Sequence, residues 1–172
     1  MIEADQFEYQ KKLNILNASG NIKIIDRINN YEIYSDNITY DKNNNFLFTD
    51  KNSKALDFVN NIEISADTFE YSISKNVITA KKNAAIENKV ENYKVESDEI
   101  TYFRNKNKIF SKGKTIADIY SKYKFTSDDV TYLTTSKELS SKKKTIVKDK
   151  LNLYMLEKFS YLISEEILKG QN

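Results

Sequence analysis

Five times, at an almost fixed interval, the chain repeats one phrase: IEADQFEY, IYSDNITY, ISADTFEY, VESDEITY and FTSDDVTY. The aspartates, Asp5, Asp36, Asp67, Asp98 and Asp128, stand 31, 31, 31 and 30 residues apart. A worn sixth copy, YMLEKFSY, has Glu157 in the aspartate's place, followed by Phe159 and Tyr161. Self-similarity on this scale marks one supersecondary unit that hides its apolar face only by stacking on its neighbours. The chain is an array.

Each copy reads as an up-and-down pair of strands. In the first, Ile2 to Tyr9 is a strand, QKKLN a polar turn, and Ile15 to Ala18 a return strand. Ser19-Gly20-Asn21 bends that return, and alternation resumes at Ile22, Ile24 and Ile25. Copies two to five place turns at DKNNN, SISKN, FRNKN and TTSKE. The apolar residues are rich in Ile, Tyr and Phe, which suit a pleated, half-buried surface. With no proline and only Gly20, Gly113 and Gly170, the turns must come from Asn, Asp, Lys and Ser. Some helical spacing appears at Leu153, Leu156, Tyr161 and Ile163, but alignment with the repeat predicts strand there. The expectation is an all-β chain forming one domain over residues 1–172, since 172 residues suit one continuous core.

The phrase contains a phase error. Counting from the aspartate, apolar or small residues fall at minus three and minus one, then at plus two and plus four. Successive residues of a regular strand face opposite sides, so odd and even positions cannot share one core without a bulge. A one-residue bulge at Asp36-Asn37, Asp67-Thr68 and Asp98-Glu99 is therefore expected, and a column of them would curve the sheet. The aspartates would then accept hydrogen bonds from backbone amides freed by the bend. Calcium is the sharper alternative for that column, but such loops need several oxygen ligands close in sequence and usually a glycine. The tyrosines Tyr9, Tyr40, Tyr71, Tyr102 and Tyr132 read as stacked packing with hydroxyls at the rim, or as an aromatic platform for sugars or bases.

Several function classes are disfavoured. A formal charge of +2 leaves no large basic excess for a nucleic-acid backbone, so no nucleic-acid partner is expected. Without His or Cys, the commonest general base, the thiol nucleophile and the usual zinc ligands are missing, and no cofactor or metal is expected. Asp128 and Asp129 are adjacent, so as a strand pair they face opposite ways, unlike two carboxylates working on one bond. No catalytic residue is assigned.

The repeated phrase, the return-strand steps Ile78-Thr79-Ala80 and Ile109-Phe110-Ser111, and the turn ASGNIKI at Ala18 to Ile24 resemble the OstA family of lipopolysaccharide-transport proteins. The likeness runs from Ile2 to about Gly170. Its members include periplasmic LptA and LptC and the amino-terminal part of the assembly protein LptD. The resemblance implies a β-jellyroll of two antiparallel sheets in a V, in the periplasm, whose apolar trough carries the acyl chains of lipopolysaccharide. The trough lining is expected from Ile24, Ile33, Ile38, Phe48, Ile64, Phe69, Ile78, Val95, Ile100, Ile109 and Ile116. Ile2, Ala4, Phe7 and Tyr9 would form an edge strand pairing with a neighbouring jellyroll of a transport bridge.

Within the family, the LptD domain is the first expectation, with an outer-membrane barrel and its lipoprotein as further partners. The sixth copy suggests this, because it runs through Tyr161 and stops at ILKGQN before a return strand, as in a piece excised from a longer protein. The absence of the cysteines found in well-known LptD domains keeps an LptA-type bridge protein open. Lys142, Lys143, Lys144, Lys148 and Lys150 read as solvated turn charge or as contacts to lipid phosphates. A structural β-solenoid without lipid cargo is the rival from another class.

Overall fold

The computed structural model describes residues 1–119 and 122–171. Its strands are β1 (Ile2–Glu3), β2 (Gln6–Gln10), β3 (Ile15–Asp26), β4 (Tyr31–Asp41), β5 (Phe46–Asp57), β6 (Ile62–Ser72), β7 (Val77–Asn88) and β8 (Tyr93–Phe103). After a single 3-10 turn at Arg104–Lys106 come β9 (Lys108–Ile119), β10 (Tyr123–Asp128), β11 (Thr131–Leu133) and β12 (Glu138–Ser141). The chain closes with β13 (Thr145–Lys148), β14 (Leu153–Leu156), β15 (Lys158–Leu162) and β16 (Ile167–Gln171). From β3 to β9, sequence neighbours pair in order, and every pairing is antiparallel. A solenoid needs parallel rungs, so that alternative is overturned. The stretch with helical spacing is β14 and β15, as the repeat alignment required.

Asparagine makes the turns. Asn14, Asn30, Asn45, Asn61, Asn76, Asn92 and Asn107 all lie at positive φ, one or two residues before the next strand. A short amide side chain tolerates this left-handed geometry better than a bulky one, which lets a chain with so little glycine turn so often.

Each long strand is irregular at its middle. Ser35 and Ile38 are both buried on β4, with Asp36 and Asn37 between them, so the inward phase changes where the sequence said it must. The same break falls between Ala66 and Phe69 and between Ser97 and Ile100. The return strands take up the mismatch differently. There the irregularity is a pair of left-handed residues, Gly20-Asn21, Lys51-Asn52 and Lys82-Asn83, opposite Asp5 or Asp36, Asp67 and Asp98, with Gly113 in the fourth copy. The aspartates serve these bends in an unexpected way. Asp5, Asp36 and Asp67 accept hydrogen bonds from the side-chain amides of Asn21, Asn52 and Asn83, at 2.9, 2.8 and 3.2 Å, in place of backbone amides.

The column of bends folds the array into two walls that share their strands. Wall one contains β1, the second halves of β3, β5, β7 and β9, the first halves of β4, β6 and β8, and then β10, β13 and β14. Wall two contains β2, the complementary halves, and then β11, β12, β15 and β16. Beyond β9 the bend becomes a fork: Phe110 pairs with Thr131 of β11, whereas Ile116 pairs with Thr126 of β10. β16 pairs with β15 from Lys158↔Gln171 to Leu162↔Ile167, so the sixth copy does begin a return strand, contrary to expectation.

Candidate lipid site and edge strands

The two inner faces are apolar, and over the middle of the array they meet. Ile24, Ile33, Ile38, Ile64, Phe69, Ile78, Val95, Ile100 and Ile109 are all buried on the inner side. Rings touch from wall to wall: Tyr31 with Tyr71 at 5.5 Å between centroids, Tyr93 with Tyr132 at 4.8 Å, and Phe125 with Phe159 at 4.9 Å. The trough expected to stand open along its length is thus filled here. Large inward side chains from β4, β6 and β8, with smaller ones from the return strands between them, occupy the space between walls that are joined at the bend.

Phe48 and Ile116 lie on the outer face, not the lining. Phe48 sits between buried Leu47 and Thr49, and Ile116 between buried Thr115 and Ala117. The repeat alignment carried the signal. Ile116 shares its column with Lys23 and Lys54, one and the same outward position, while Phe48 aligns with Thr79.

The seam opposite the bend is closed by a polar latch that recurs with the repeat. Tyr71 donates its hydroxyl proton to Asp26 Oδ2 at 3.0 Å and accepts from Asn29 Nδ2 at 3.0 Å. One repeat later, Tyr102 donates to Asp57 at 3.1 Å and accepts from Asn60 at 3.1 Å. Tyr132 donates to Glu91 at 3.3 Å. In each case a phenol at the far end of wall two reaches the turn at the far end of wall one. The hydroxyls do reach the rim, but they are bound there. Burial pushes the Tyr71 and Tyr102 phenols far up, with Asp26 and Asp57 as the next cause, so both remain donors. Burial also raises Asp26, but hydrogen bonds from Asn29, Tyr71 and Ile28 outweigh it and hold that carboxyl below its ordinary value.

Asp57 is the deepest member, with a fully buried side chain. Arg104 meets it with two nitrogens, Nε at 2.9 Å from Oδ2 and a terminal nitrogen at 3.1 Å from Oδ1. Arg104 also donates to the Asn29 carbonyl and lies 5.0 Å from the Tyr31 ring centroid. One guanidinium thereby ties two successive latches. Sequence reasoning missed Arg104, Asp57 and Asp26; the recurrence of Asp26 and Asp57 at the repeat interval, three residues before Asn29 and Asn60, was the available signal.

The first two tyrosines of the column make a different contact. The Tyr9 and Tyr40 hydroxyls donate to Asn14 at 2.8 Å and Asn45 at 3.4 Å, within their own hairpins. There the walls part around a cavity of about 340 Å³ lined by Ile2, Ile24, Ile28, Tyr40, Leu47, Tyr71 and Ile73, among others. Phe7 and Tyr9, inner-face residues by register, are 54% and 46% exposed. Ile2 and Ala4 are half-buried. β1 and β2 each pair on one side only, with β3, so their other edges present unpaired amides and carbonyls.

The carboxy-terminal lysines do not converge on one point. Lys144 reaches Glu157 at 3.4 Å and Lys143 reaches Asp129 at 3.8 Å, while Lys142, Lys148 and Lys150 are exposed. A recess of about 640 Å³ beside Lys114, Lys144, Ile146 and Met155 marks the fork between the two arms. Among the described residues, no group of three or more acidic side chains is placed to hold a metal ion.

No protein-family model matches the chain, and no curated protein matches it. Among solved structures, the chain is similar to LptH of Pseudomonas aeruginosa, described as the LptA-homologous periplasmic component of the conserved lipopolysaccharide transport device. Identity is 14%, the TM-score is 0.45, and the match covers 91% of this chain and 92% of that one.

Proposed function

We propose that this chain is a periplasmic bridge component of lipopolysaccharide transport, of LptA type. The observation that carries the reading is the apolar inner face of both walls, with a cavity lined by Ile24, Leu47 and Ile73 between them. The recurring OstA-like phrase supports it, and so does the two-walled antiparallel architecture. A methylene removed from water contributes about 0.8 kcal/mol, so an acyl chain favours a mouth lined by Ile24, Leu47 and Ile73 over solvent. Further admission requires the walls to part. The bend column can act as the hinge, since its bonds lie away from the seam, while the seam is held by polar contacts that water can replace. The inner residues Ile24, Ile33, Ile38, Ile64, Phe69, Ile78, Val95, Ile100 and Ile109 would then line the loaded form.

The open edges of β1 and β2 suit pairing with a terminal strand of a neighbouring jellyroll, which would extend one apolar interior into the next. An LptD-type domain, joined to an outer-membrane barrel and its lipoprotein, is the narrower form of the same reading.

The test places a photo-crosslinking residue at Tyr40 or Leu47 and adds lipopolysaccharide to the purified chain. Lipid should be captured from both positions and not from Phe48 on the outer face. Equal capture from all three, or none from any, would defeat the proposal. Organic extraction followed by mass spectrometry reports any acyl chains already carried.

A further inference from the structure

The turns along the wall-one edge repeat a second device, separate from the latch. Asp26 Oδ1 accepts from the amides of Ile28 and Asn29, Asp57 Oδ1 from Val59 and Asn60, and Asn88 Oδ1 from Val90 and Glu91, all between 2.9 and 3.2 Å. Each turn thrusts its two middle residues into solvent: Arg27-Ile28, Phe58-Val59 and Lys89-Val90. Ile28 is 91% exposed, Val90 75%, Val59 60% and Phe58 59%.

The turn itself does not ask for apolar tips. Asp41 builds the same structure on the opposite edge, accepting from Asn43 and Asn44 at 2.9 and 3.2 Å, with Lys42 and Asn43 at the tip. The neighbouring tips of that edge, Ser74-Lys75 and Asn105-Lys106, are also polar and exposed. The opposite edge has one exposed aliphatic side chain, Leu13, in the first copy; repetition at the interval of the array, at Ile28, Val59 and Val90, is a feature of the wall-one edge.

We propose that Ile28, Phe58, Val59 and Val90, with Arg27 and Lys89, dock the protein on the surface of an anionic phospholipid bilayer. Equivalent turns are two strands apart, roughly 10 Å. Tips at that spacing can each enter the headgroup–acyl boundary separately. The cations point to the sign of the surface. Arg27 stands beside Ile28 with no ion pair among the described residues, while Lys89, largely exposed, lies between Glu87 at 3.2 Å and Glu63 at 3.8 Å, so Arg27 carries most of the charge argument. Guanidinium and ammonium groups beside inserted side chains complement lipid phosphates. Leu151, 92% exposed, tops a similar turn on Asp149 at the same end of wall one and extends the row beyond Val90. The inference does not require cargo in the interior.

The experiment is co-sedimentation of the full chain with phosphatidylcholine vesicles, with and without phosphatidylglycerol. Wild type should partition mainly onto the anionic vesicles. The triple variant Ile28→Ser/Val59→Ser/Val90→Ser should lose about tenfold or more in partitioning, a small part of full burial of three aliphatic side chains. Arg27→Gln/Lys89→Gln should lose several-fold, and Leu13→Ser, on the opposite edge, should match wild type. Single Ile28→Ser serves if the triple variant does not fold. Equal partitioning of wild type and the Ile28 variants would overturn the proposal. So would absence of binding to anionic vesicles at low salt, or a loss of self-association in the triple variant with vesicle binding unchanged.

Discussion

Arg104 grips the carboxylate of Asp57 with two nitrogens at once, at 2.9 and 3.1 Å, across 47 residues of sequence. The pair joins the end of β8 to the turn after β5, and so holds one wall to the other at the middle of the seam.

Removing one partner of such a pair leaves a charge without compensation in a site that water does not reach. Arg104→Met is expected to cost about 3–5 kcal/mol in denaturant unfolding. A loss below about 1 kcal/mol would show that Asp57 does not depend on the guanidinium.

Tyr71→Phe removes the phenol that Asp26 accepts from and should cost about 1.5–3 kcal/mol at neutral pH, as for a hydrogen bond to a charged group. Because the folded state lowers the Asp26 pKa, that carboxylate stabilises the fold fully above its unfolded value, near 3.9, and the contribution is lost as pH falls through the lower folded value. The gap between wild type and Tyr71→Phe should therefore narrow on acidification. Denaturant midpoints taken at neutral pH and below the ordinary carboxyl range check this; a constant gap would detach the phenol from the ionised form of Asp26.

Gly20, Lys51, Lys82 and Gly113 occupy one column of the repeat, and all four have φ between 62° and 81°. Two copies thus have a lysine where the backbone suits glycine. Lys51→Gly and Lys82→Gly should each stabilise by about 0.5–1 kcal/mol, as relief of left-handed strain exceeds the added entropy of the unfolded glycine. Gly20→Ala should do the reverse, since its Cβ would come within 2.4 Å of Asp5 Oδ2. Thermal melts of the three variants decide the matter by sign.

Tyr31 buries a hydroxyl that finds no hydrogen-bond partner, while its ring packs edge-on to Tyr71 and under Arg104. Tyr31→Phe keeps the ring contacts and removes the unsatisfied group, so a gain of about 1 kcal/mol is expected. Destabilisation on denaturant unfolding would reveal a partner for that hydroxyl.

Much of the fold was legible in the phrase itself. The interval fixed the meander, and the mismatch between minus one and plus two located the bends at Asp36, Asp67 and Asp98. Which strand bore the left-handed pair was not visible from apolar pattern, because it depends on Lys51 and Lys82 taking a geometry their side chains do not favour. Phe48 and Ile116 were misplaced when each was read as an apolar residue and not as a member of a column. Ile33 and Phe69 were placed correctly on the inner face because their columns are apolar or small throughout.

What the sequence by itself determined was local and periodic: antiparallel strands, a bend in each copy, and the residues facing inward. These follow from alternation along one strand, and one copy contains them entirely. Only the tertiary structure decided that the walls close on each other, with Tyr71 on Asp26 and Tyr102 on Asp57, and that the closure fails around Tyr40. That outcome depends on contacts between copies more than 40 residues apart, and on the summed bulk of facing side chains, neither of which any single repeat specifies.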